Sequence, residues 1–279
     1  MDLLRRHAAP AITVCAALTA AALLPGTTAG RASAAPRSTA LLLHATVERP
    51  APPLPLKGRR IVLDPGHNGA NARHPEIINR KVDAGGFTKP CNTTGTSTDA
   101  GYPEHAFTFD VARRAAAILR RQGATVTLTR SDDKGVGPCV DRRARIANQR
   151  RAEVVVSIHA DGAPSRARGF HVIEPALAPD KGNREILAVS DGLARAVRAS
   201  FAAVTGLPRA GYPGGIREPG LARRSDLAGL NLARQAVAMI ECANMRNSTD
   251  ARFLSSASGR AKAARGIAEG VLVYLSSRS

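Results

Sequence analysis

The chain has 279 residues, of which 44% are apolar and 3% aromatic, and it carries a formal net charge of +18 at pH 7. Its length accommodates one large domain or two small ones, and its core must rest on alanine and aliphatic residues. The basic residues are spread along the sequence, without the concentrated arm or interleaved aromatic residues of a nucleic-acid binder, which argues against nucleic acid as a partner.

The first 34 residues have the three parts of a secretory signal peptide. Arg5 and Arg6 form the charged start, residues 11–24 an apolar segment, and residues 32–34 an A-x-A cleavage site. The apolar segment is short for a membrane span, although an uncleaved anchor helix is the alternative. We therefore expect residues 1–34 to be removed and the protein to be secreted to the periplasm or cell wall, without stable membrane insertion. Its basic surface would attract the polyanions found there.

A proline-rich linker is expected between the signal peptide and the folded domain. Four prolines fall within residues 50–55, which predicts an extended segment over residues 35–57. The domain then covers residues 58–279. Near its start, the sequence IVLDPGH (residues 61–67) predicts a short buried strand that a Pro-Gly pair ends at once, so that His67 lies on a turn just past the strand.

The rest of the chain alternates between helical and strand patterns after a long Gly-, Asn- and Thr-rich loop over residues 68–103. Loops of this length in compact domains are usually functional or mobile. The predicted elements are a helix from Glu104 to Gly123, strand 124–129, helix 140–151, strand 154–159, strand 169–174, helix 184–204, a loop over 206–221, strand 236–241 and a closing helix 250–275. This alternation predicts an α/β domain with a mostly parallel sheet, and the sequence shows neither an internal repeat nor a second domain.

Export would place three cysteines in an oxidising compartment, where two are expected to pair. Cys91 and Cys139 lie in loop-like sequence, whereas Cys242 continues an apolar strand. We therefore predict a disulfide between Cys91 and Cys139 that fixes the long loop. Three unpaired thiols or a cysteine metal site are the alternatives, although no CxxC spacing supports the metal site.

Three predicted strands end on residues that can bind a metal or carry a proton. His67, His159 and Glu241 each follow a run of apolar residues, and the carboxyl ends of parallel strands gather ligands at one edge of a sheet. Zinc in hydrolases is commonly held by two histidines and a carboxylate, with a fourth position open for water. This convergence predicts His67 and His159 as zinc ligands, although a single histidine after an apolar strand is more often structural.

The third ligand should reach the same point from a loop or the start of a helix. Glu104 begins the first long helix, where its ordinary role would be to complement the helix dipole. His105 competes for the same position, but neighbouring helical side chains point about 100° apart, so that only one of them can face a metal. The residues alone leave this choice open.

Glu241 ends an apolar strand, where a buried charge is unfavourable unless it is paired or near a metal. A carboxylate beside zinc-bound water is suited to act as a general base, since zinc lowers the pKa of that water to about 7. A salt bridge to one of the many arginines is the alternative. Strand alternation directs Cys242 to the opposite face.

Five segments resemble the motifs of a known enzyme family. They are IVLDPGH (61–67), PEHAF (103–107), SIHAD (157–161), SDLAGLN (225–231) and MIECANMRN (239–247). Together they resemble the zinc-dependent N-acetylmuramoyl-L-alanine amidases of the Amidase_3 type, from about Arg59 to Leu275. The resemblance implies a single-domain, three-layer α/β fold with a mixed, mostly parallel six-stranded sheet between helices. It also implies one Zn²⁺ on His67, Glu104 and His159, with Glu241 as the catalytic carboxylate.

The same resemblance implies hydrolysis of the amide bond between N-acetylmuramic acid and L-alanine in peptidoglycan or its muropeptide fragments. Glu241 would help water attack the amide carbonyl and would return a proton to the leaving amine. We expect a monomer without the helical insertion that blocks the zinc in some family members. The sequence shows no wall-binding repeats, so we expect soluble fragments to suit the enzyme better than intact wall.

Two other functions remain open at the level of sequence. A zinc peptidase acting within the stem peptide would use the same site on a different bond. A basic wall-binding module without activity is the third reading, and the presence of all four site residues argues against it.

Overall fold

A computed structural model of the chain describes residues 54–278. Its strands are β1 (Arg60–Pro65), β2 (Lys81–Asp83), β3 (Thr88–Pro90), β4 (Thr125–Leu128), β5 (Val154–Asp161), β6 (His171–Pro175), β7 (Ile216–Glu218), β8 (Leu221–Arg224) and β9 (Ala236–Asn244). Its α-helices are α1 (Pro75–Ile78), α2 (Glu104–Arg121), α3 (Val140–Gln149), α4 (Leu187–Thr205), α5 (Ala228–Asn231), α6 (Ser248–Ser255) and α7 (Ala257–Ser276).

The central sheet is mixed and mostly parallel, as predicted. Its strand order is β4-β1-β5-β9-β6-β8-β7, and only the β6–β9 and β7–β8 pairs are antiparallel. The expected count of six strands is wrong, because the described sheet has seven. The predicted loop over residues 206–221 contains β7, a three-residue edge strand whose side chains are largely exposed, and β8, which begins at the last residue of that loop, was not predicted either. β7 has no buried face, so its sequence lacks the apolar alternation that predicts strands.

Helices cover both faces of the sheet, which confirms the three-layer architecture. Alternate residues of each inner strand enter different cores: Ile61 and Leu63 pack with α2, α4 and α7, whereas Val62 packs with α3 and α5. The two cores are built largely from alanine, valine, leucine and isoleucine. The sheet is therefore buried on both sides, and the ends of its strands are the edges at which polar side chains can meet a ligand.

The predicted closing helix over residues 250–275 is in fact two helices. α6 ends at Ser255 and α7 begins at Ala257, with Ser256 in an extended conformation between them. The Ser256 hydroxyl accepts the N–H of Gly259 at 3.0 Å. Serine is a preferred N-cap residue, and Ser256 separates α6 from α7 within a sequence whose helical pattern is continuous.

The long loop after β1 is tied to the body of the domain. It contains α1 and the antiparallel β2–β3 hairpin, and the predicted Cys91–Cys139 disulfide joins the residue after β3 to the residue before α3. The N–H of Val140 also donates to the carbonyl of Cys91 at 2.8 Å. Cys242 is a buried free thiol. The loop is thus fixed beside α3 by one covalent and one hydrogen bond.

The predicted signal peptide, residues 1–34, lies outside the described residues, as does the predicted linker up to residue 53. The linker's last four residues are described: Leu56 is fully buried, and its N–H donates to the carbonyl of Gln122 at 2.9 Å. Between residues 54 and 278, none of the helices is both long and apolar enough to cross a membrane.

Replacing both Cys91 and Cys139 by serine is expected to lower the free energy of unfolding by about 2–4 kcal/mol, because the cross-link restricts the unfolded chain. Guanidinium denaturation of oxidised and reduced protein measures the effect. The reduced wild type should approach the double variant, which itself should not respond to reductant. A double variant as stable as the oxidised wild type would contradict a stabilising disulfide.

Candidate metal centre

Three potential metal ligands from three different elements meet at one edge of the sheet. His67 follows the end of β1, Glu104 is the first residue of α2, and His159 lies near the end of β5. One donor atom from each lies within 4.8 Å of the others. Nε2 of His67 is 3.1 Å from Oε2 of Glu104, and Nδ1 of His159 is 3.0 Å from Oε1 of Glu104. These are the three residues predicted as zinc ligands.

The imidazole of His67 is oriented by the part of the long loop that follows Cys91. Nδ1 of His67 lies 3.1 Å from the carbonyl oxygen of Thr93. Since a carbonyl only accepts, Nδ1 must carry the proton in this hydrogen bond, and Nε2 is the nitrogen left to bind a metal. Metal-binding histidines commonly use their second nitrogen in this way. Thr93 was not predicted, because a backbone carbonyl leaves no signal in the sequence.

Glu104 is buried and its two oxygens have separate sets of donors. Oε1 accepts the N–H of Ala160 at 3.1 Å, and Oε2 accepts the N–H of Thr96 at 3.0 Å. Burial alone would raise the pKa of Glu104, but the charge of His67 and the hydrogen bonds from His159 and His67 hold that pKa far below its ordinary value. Attraction to Glu104 in turn outweighs burial and raises the pKa of His67. Glu104 and His67 therefore each stabilise the charged form of the other.

His105, the alternative to Glu104, faces another partner. Its Nδ1 lies 2.6 Å from Oδ2 of Asp133, on the loop after β4. The structure thus brings Glu104 to the two histidines and directs His105 away from them. The angular separation of neighbouring helical residues accounts for this difference.

Glu241 lies directly beside the histidine cluster. It is the register partner of His159 across the parallel β5–β9 pair, and both residues line the same cleft. Its Oε2 is buried without a hydrogen-bond partner among the described residues. Burial, followed by the negative charges of Glu104 and Asp161, raises the pKa of Glu241 well above its ordinary value. Cys242, the next residue, packs in the core on the opposite face, as predicted.

His171 also adjoins this region, although the sequence analysis did not include it among the site residues. It pairs in register with Glu241 because β6 runs antiparallel to β9, so that the start of β6 meets the end of β9. Burial, together with the charge of Arg224, lowers the pKa of His171 to about 4. It is therefore neutral at neutral pH and adds no charge beside Glu241. The direction of a strand is not readable from its own residues, which is why this neighbour was missed.

A cleft of about 390 Å³ is lined by the three potential ligands and by Glu241. Its walls come from residues 89–96 of the long loop and from residues 227–229 at the start of α5. Gly66 allows close packing at the base, since a Cβ there would lie 2.2 Å from Cε1 of His159. The cleft provides access to the donor atoms from solvent.

The donor set fits a catalytic zinc ion. Two imidazole nitrogens and one carboxylate oxygen converge, one side of the cluster faces the cleft, and a second carboxylate stands beside it with an unpaired buried oxygen. Zinc hydrolases use such a three-ligand set and keep the remaining position open. The fold and the site together are typical of metal-dependent hydrolases.

Comparison with known proteins gives the family. Residues 61–273 match the sequence profile of the family Amidase_3, N-acetylmuramoyl-L-alanine amidase. The N-acetylmuramoyl-L-alanine amidase Rv3717 of Mycobacterium tuberculosis is 42% identical over 232 residues, which are 82% of this chain and 91% of that protein. The chain therefore belongs to the Amidase_3 family.

Solved structures of similar proteins agree with this assignment. The crystal structure of the N-acetylmuramyl-L-alanine amidase Ami1 from Mycobacterium smegmatis is 43% identical with a TM-score of 0.73, and the match covers 80% of this chain and 99% of that one. The apo form of Ami1 from Mycobacterium abscessus is 42% identical with a TM-score of 0.72, covering 79% of this chain and 100% of that one.

Metal-free Glu241→Gln protein should be more stable than metal-free wild type at pH 7–8, because the buried environment opposes ionisation of the Glu241 carboxyl and glutamine has no group to ionise. The folded wild type holds the Glu241 proton more tightly than the unfolded chain does. Proton binding by Glu241 makes its full contribution to the free energy of unfolding below the unfolded pKa of about 4.3. This contribution is lost as the pH rises through the higher pKa of the folded state. We expect the melting temperature of the variant to be higher by about 3 °C or more at pH 8, with the difference shrinking towards pH 4. Equal melting temperatures at pH 8 would contradict an unfavourable Glu241 carboxylate.

Proposed function

We propose that this protein is an exported, zinc-dependent N-acetylmuramoyl-L-alanine amidase that cleaves the bond between N-acetylmuramic acid and L-alanine in peptidoglycan or its fragments. The observation that carries the proposal is the convergence of His67, Glu104 and His159 beside Glu241 in an open cleft. Membership of the amidase family over nearly the whole described domain supports the substrate class.

In this proposal His67, Glu104 and His159 hold one zinc ion. When bound, zinc supplies Lewis acidity, which lowers the pKa of water to about 7 and stabilises negative charge on a carbonyl oxygen. The hydrogen bonds from Thr96 and Ala160 keep the Glu104 carboxylate in place, and the Thr93 carbonyl keeps Nε2 of His67 directed at the cluster. These contacts fix the donor atoms before the substrate arrives.

Glu241 is the proposed general base and acid. Its unpaired Oε2 takes a proton from the attacking water, and the same oxygen then delivers a proton to the nitrogen of L-alanine as the amide bond breaks. A raised pKa suits both steps, because the carboxylate is a stronger base and its acid form persists nearer neutral pH. No other carboxylate of the described cleft combines an unpaired buried oxygen with adjacency to His159.

The cellular location belongs to the same proposal. Residues 1–34 serve as the signal peptide and residues 35–57 mainly as a linker, so that residues 58–279 act in the periplasm or cell wall as a monomer. The Cys91–Cys139 disulfide supports an oxidising compartment. The segment between His159 and Glu241 is occupied by β6, α4, β7, β8 and α5, which leaves the cleft accessible without an activator.

Mass spectrometry of the products tests the reaction. Residues 35–279 are incubated with a defined muropeptide, with zinc and with a chelator. The proposal predicts free stem peptide beginning at L-alanine, formed with zinc and abolished by the chelator. Cleavage within the stem peptide would contradict the amidase and indicate a peptidase. An untouched substrate in the presence of bound zinc would contradict an enzyme that acts without an activator.

Two substitutions separate metal binding from proton transfer. Glu241→Gln should retain zinc and lose turnover by about 10²-fold or more, because the amide cannot accept the proton.

His67→Ala should lose both zinc and turnover, because a ligand is removed. Metal content by atomic absorption and turnover by product release provide the measurements. Retained turnover in Glu241→Gln would remove this residue from the mechanism, and full zinc occupancy in His67→Ala would place the metal elsewhere.

A further inference from the structure

The turn that carries His67 has an unusual backbone conformation. His67 has a φ angle of 59°, in the left-handed region that residues other than glycine rarely adopt. Directly before it, Gly66 packs so closely under His159 that no side chain fits between them. A turn of this kind persists only where the surrounding structure holds it in place. The position of the His67 imidazole therefore depends on what fixes the backbone of residues 64–67.

Arg143, on α3, donates hydrogen bonds to the backbone of this turn. The side chain is buried, with 5% of its residue surface exposed. Its Nη2 donates to the carbonyl of His67 at 2.9 Å, and its Nη1 donates to the carbonyl of Pro65 at 2.6 Å. Nη1 also lies 2.8 Å from Oδ1 of Asp64, which balances its charge. One guanidinium thus holds both sides of the turn.

Arg143 is itself anchored close to the disulfide. Its Nε donates to the carbonyl of Pro138 at 2.9 Å, immediately before Cys139. Asp64 is held in turn by the hydroxyls of Thr129 at 2.5 Å and Ser157 at 2.8 Å. Each of the three guanidinium nitrogens of Arg143, Nε, Nη1 and Nη2, therefore has a partner in the folded domain, and these bonds restrict the movement of the side chain.

A second buried arginine fixes the same turn relative to Glu104. Nε of Arg130 donates to the carbonyl of Pro65 at 3.0 Å, and its Nη2 donates to the carbonyl of His105 at 2.8 Å. His105 is in the first turn of α2, next to Glu104. Arg130 therefore links the turn that leads to His67 with the first turn of α2, which bears Glu104.

We propose that Arg143 is a positioning residue of the metal centre: it holds the His67 backbone so that Nε2 points at Glu104 and His159. The inference rests on the proposed zinc site. Lysine cannot replace it, because an ammonium group lacks the planar fork that reaches two carbonyls and a carboxylate at once. Arg143 does not line the described cleft, and its hydrogen bond to the His67 carbonyl is the contact through which it positions the imidazole.

The test compares Arg143→Lys with Arg142→Lys in the otherwise unchanged protein. Arg142 precedes Arg143 on α3, is exposed, and has a side chain that makes no hydrogen bond or ion pair within residues 54–278. Zinc affinity is measured by competition with a chromogenic chelator, and the melting temperature of each metal-free protein is measured separately. Arg143→Lys should bind zinc about tenfold more weakly or worse, as expected for loss of a group that orients a ligand, whereas Arg142→Lys should match wild type.

A purely structural role for Arg143 would give a different result. The melting temperature of metal-free Arg143→Lys would fall while zinc affinity stayed within twofold of wild type, and this outcome would overturn the inference. If Arg143→Lys does not fold, Asp64→Asn replaces it, since this variant removes the charge that holds Arg143 and keeps the side-chain shape. A folded Asp64→Asn protein with weakened zinc binding supports the inference, and one with unchanged zinc binding overturns it.

The wild-type measurement distinguishes this inference from the proposed function. Wild-type protein that binds no zinc would contradict both the proposed zinc enzyme and the positioning role of Arg143. Wild-type protein that binds zinc tightly, together with an Arg143→Lys protein that binds it equally well, would overturn the positioning role alone.

Discussion

The candidate site depends above all on the buried carboxylate of Glu104. A carboxylate in this position is unfavourable unless donors surround it, and the fold supplies two backbone N–H groups and two imidazoles. Those donors come from the loop after β3, from β5 and from the turn after β1. Satisfying one charge therefore aligns three separate parts of the chain. The same alignment places the nitrogens and the oxygen where a single cation can contact all of them.

The rest of the fold maintains this alignment from outside the cleft. The parallel β1–β5 and β5–β9 pairs bring the ends of three strands to one edge, which sets His159 next to Glu241. The disulfide fixes the loop that bears Thr93 and, at its other end, the start of the helix that bears Arg143. The two buried arginines then hold the turn of His67. Electrostatic preorganisation of this kind allows a site to act without rearrangement during the reaction.

The sequence predicted the parts of the site that follow from local pattern. His67, His159 and Glu241 could be found because each follows a short apolar strand, and Cys91 and Cys139 because both lie in loop-like sequence. The choice of Glu104 over His105 needed the family resemblance, since helical geometry excludes having both but does not select one. Thr93 and Arg143 act through backbone carbonyls remote in sequence, and no local pattern records such contacts. β7 was missed because an exposed edge strand has no apolar periodicity, and the neighbour relation of His171 was missed because it depends on strand direction.

X-ray diffraction from zinc-soaked crystals, recorded on both sides of the zinc absorption edge, tests the central claim most directly. The account predicts one anomalous peak, within coordination distance of Nε2 of His67, a carboxylate oxygen of Glu104 and a ring nitrogen of His159, with Glu241 beside it and outside the ligand set. A peak at another group of residues, or no peak in zinc-saturated crystals, would contradict it.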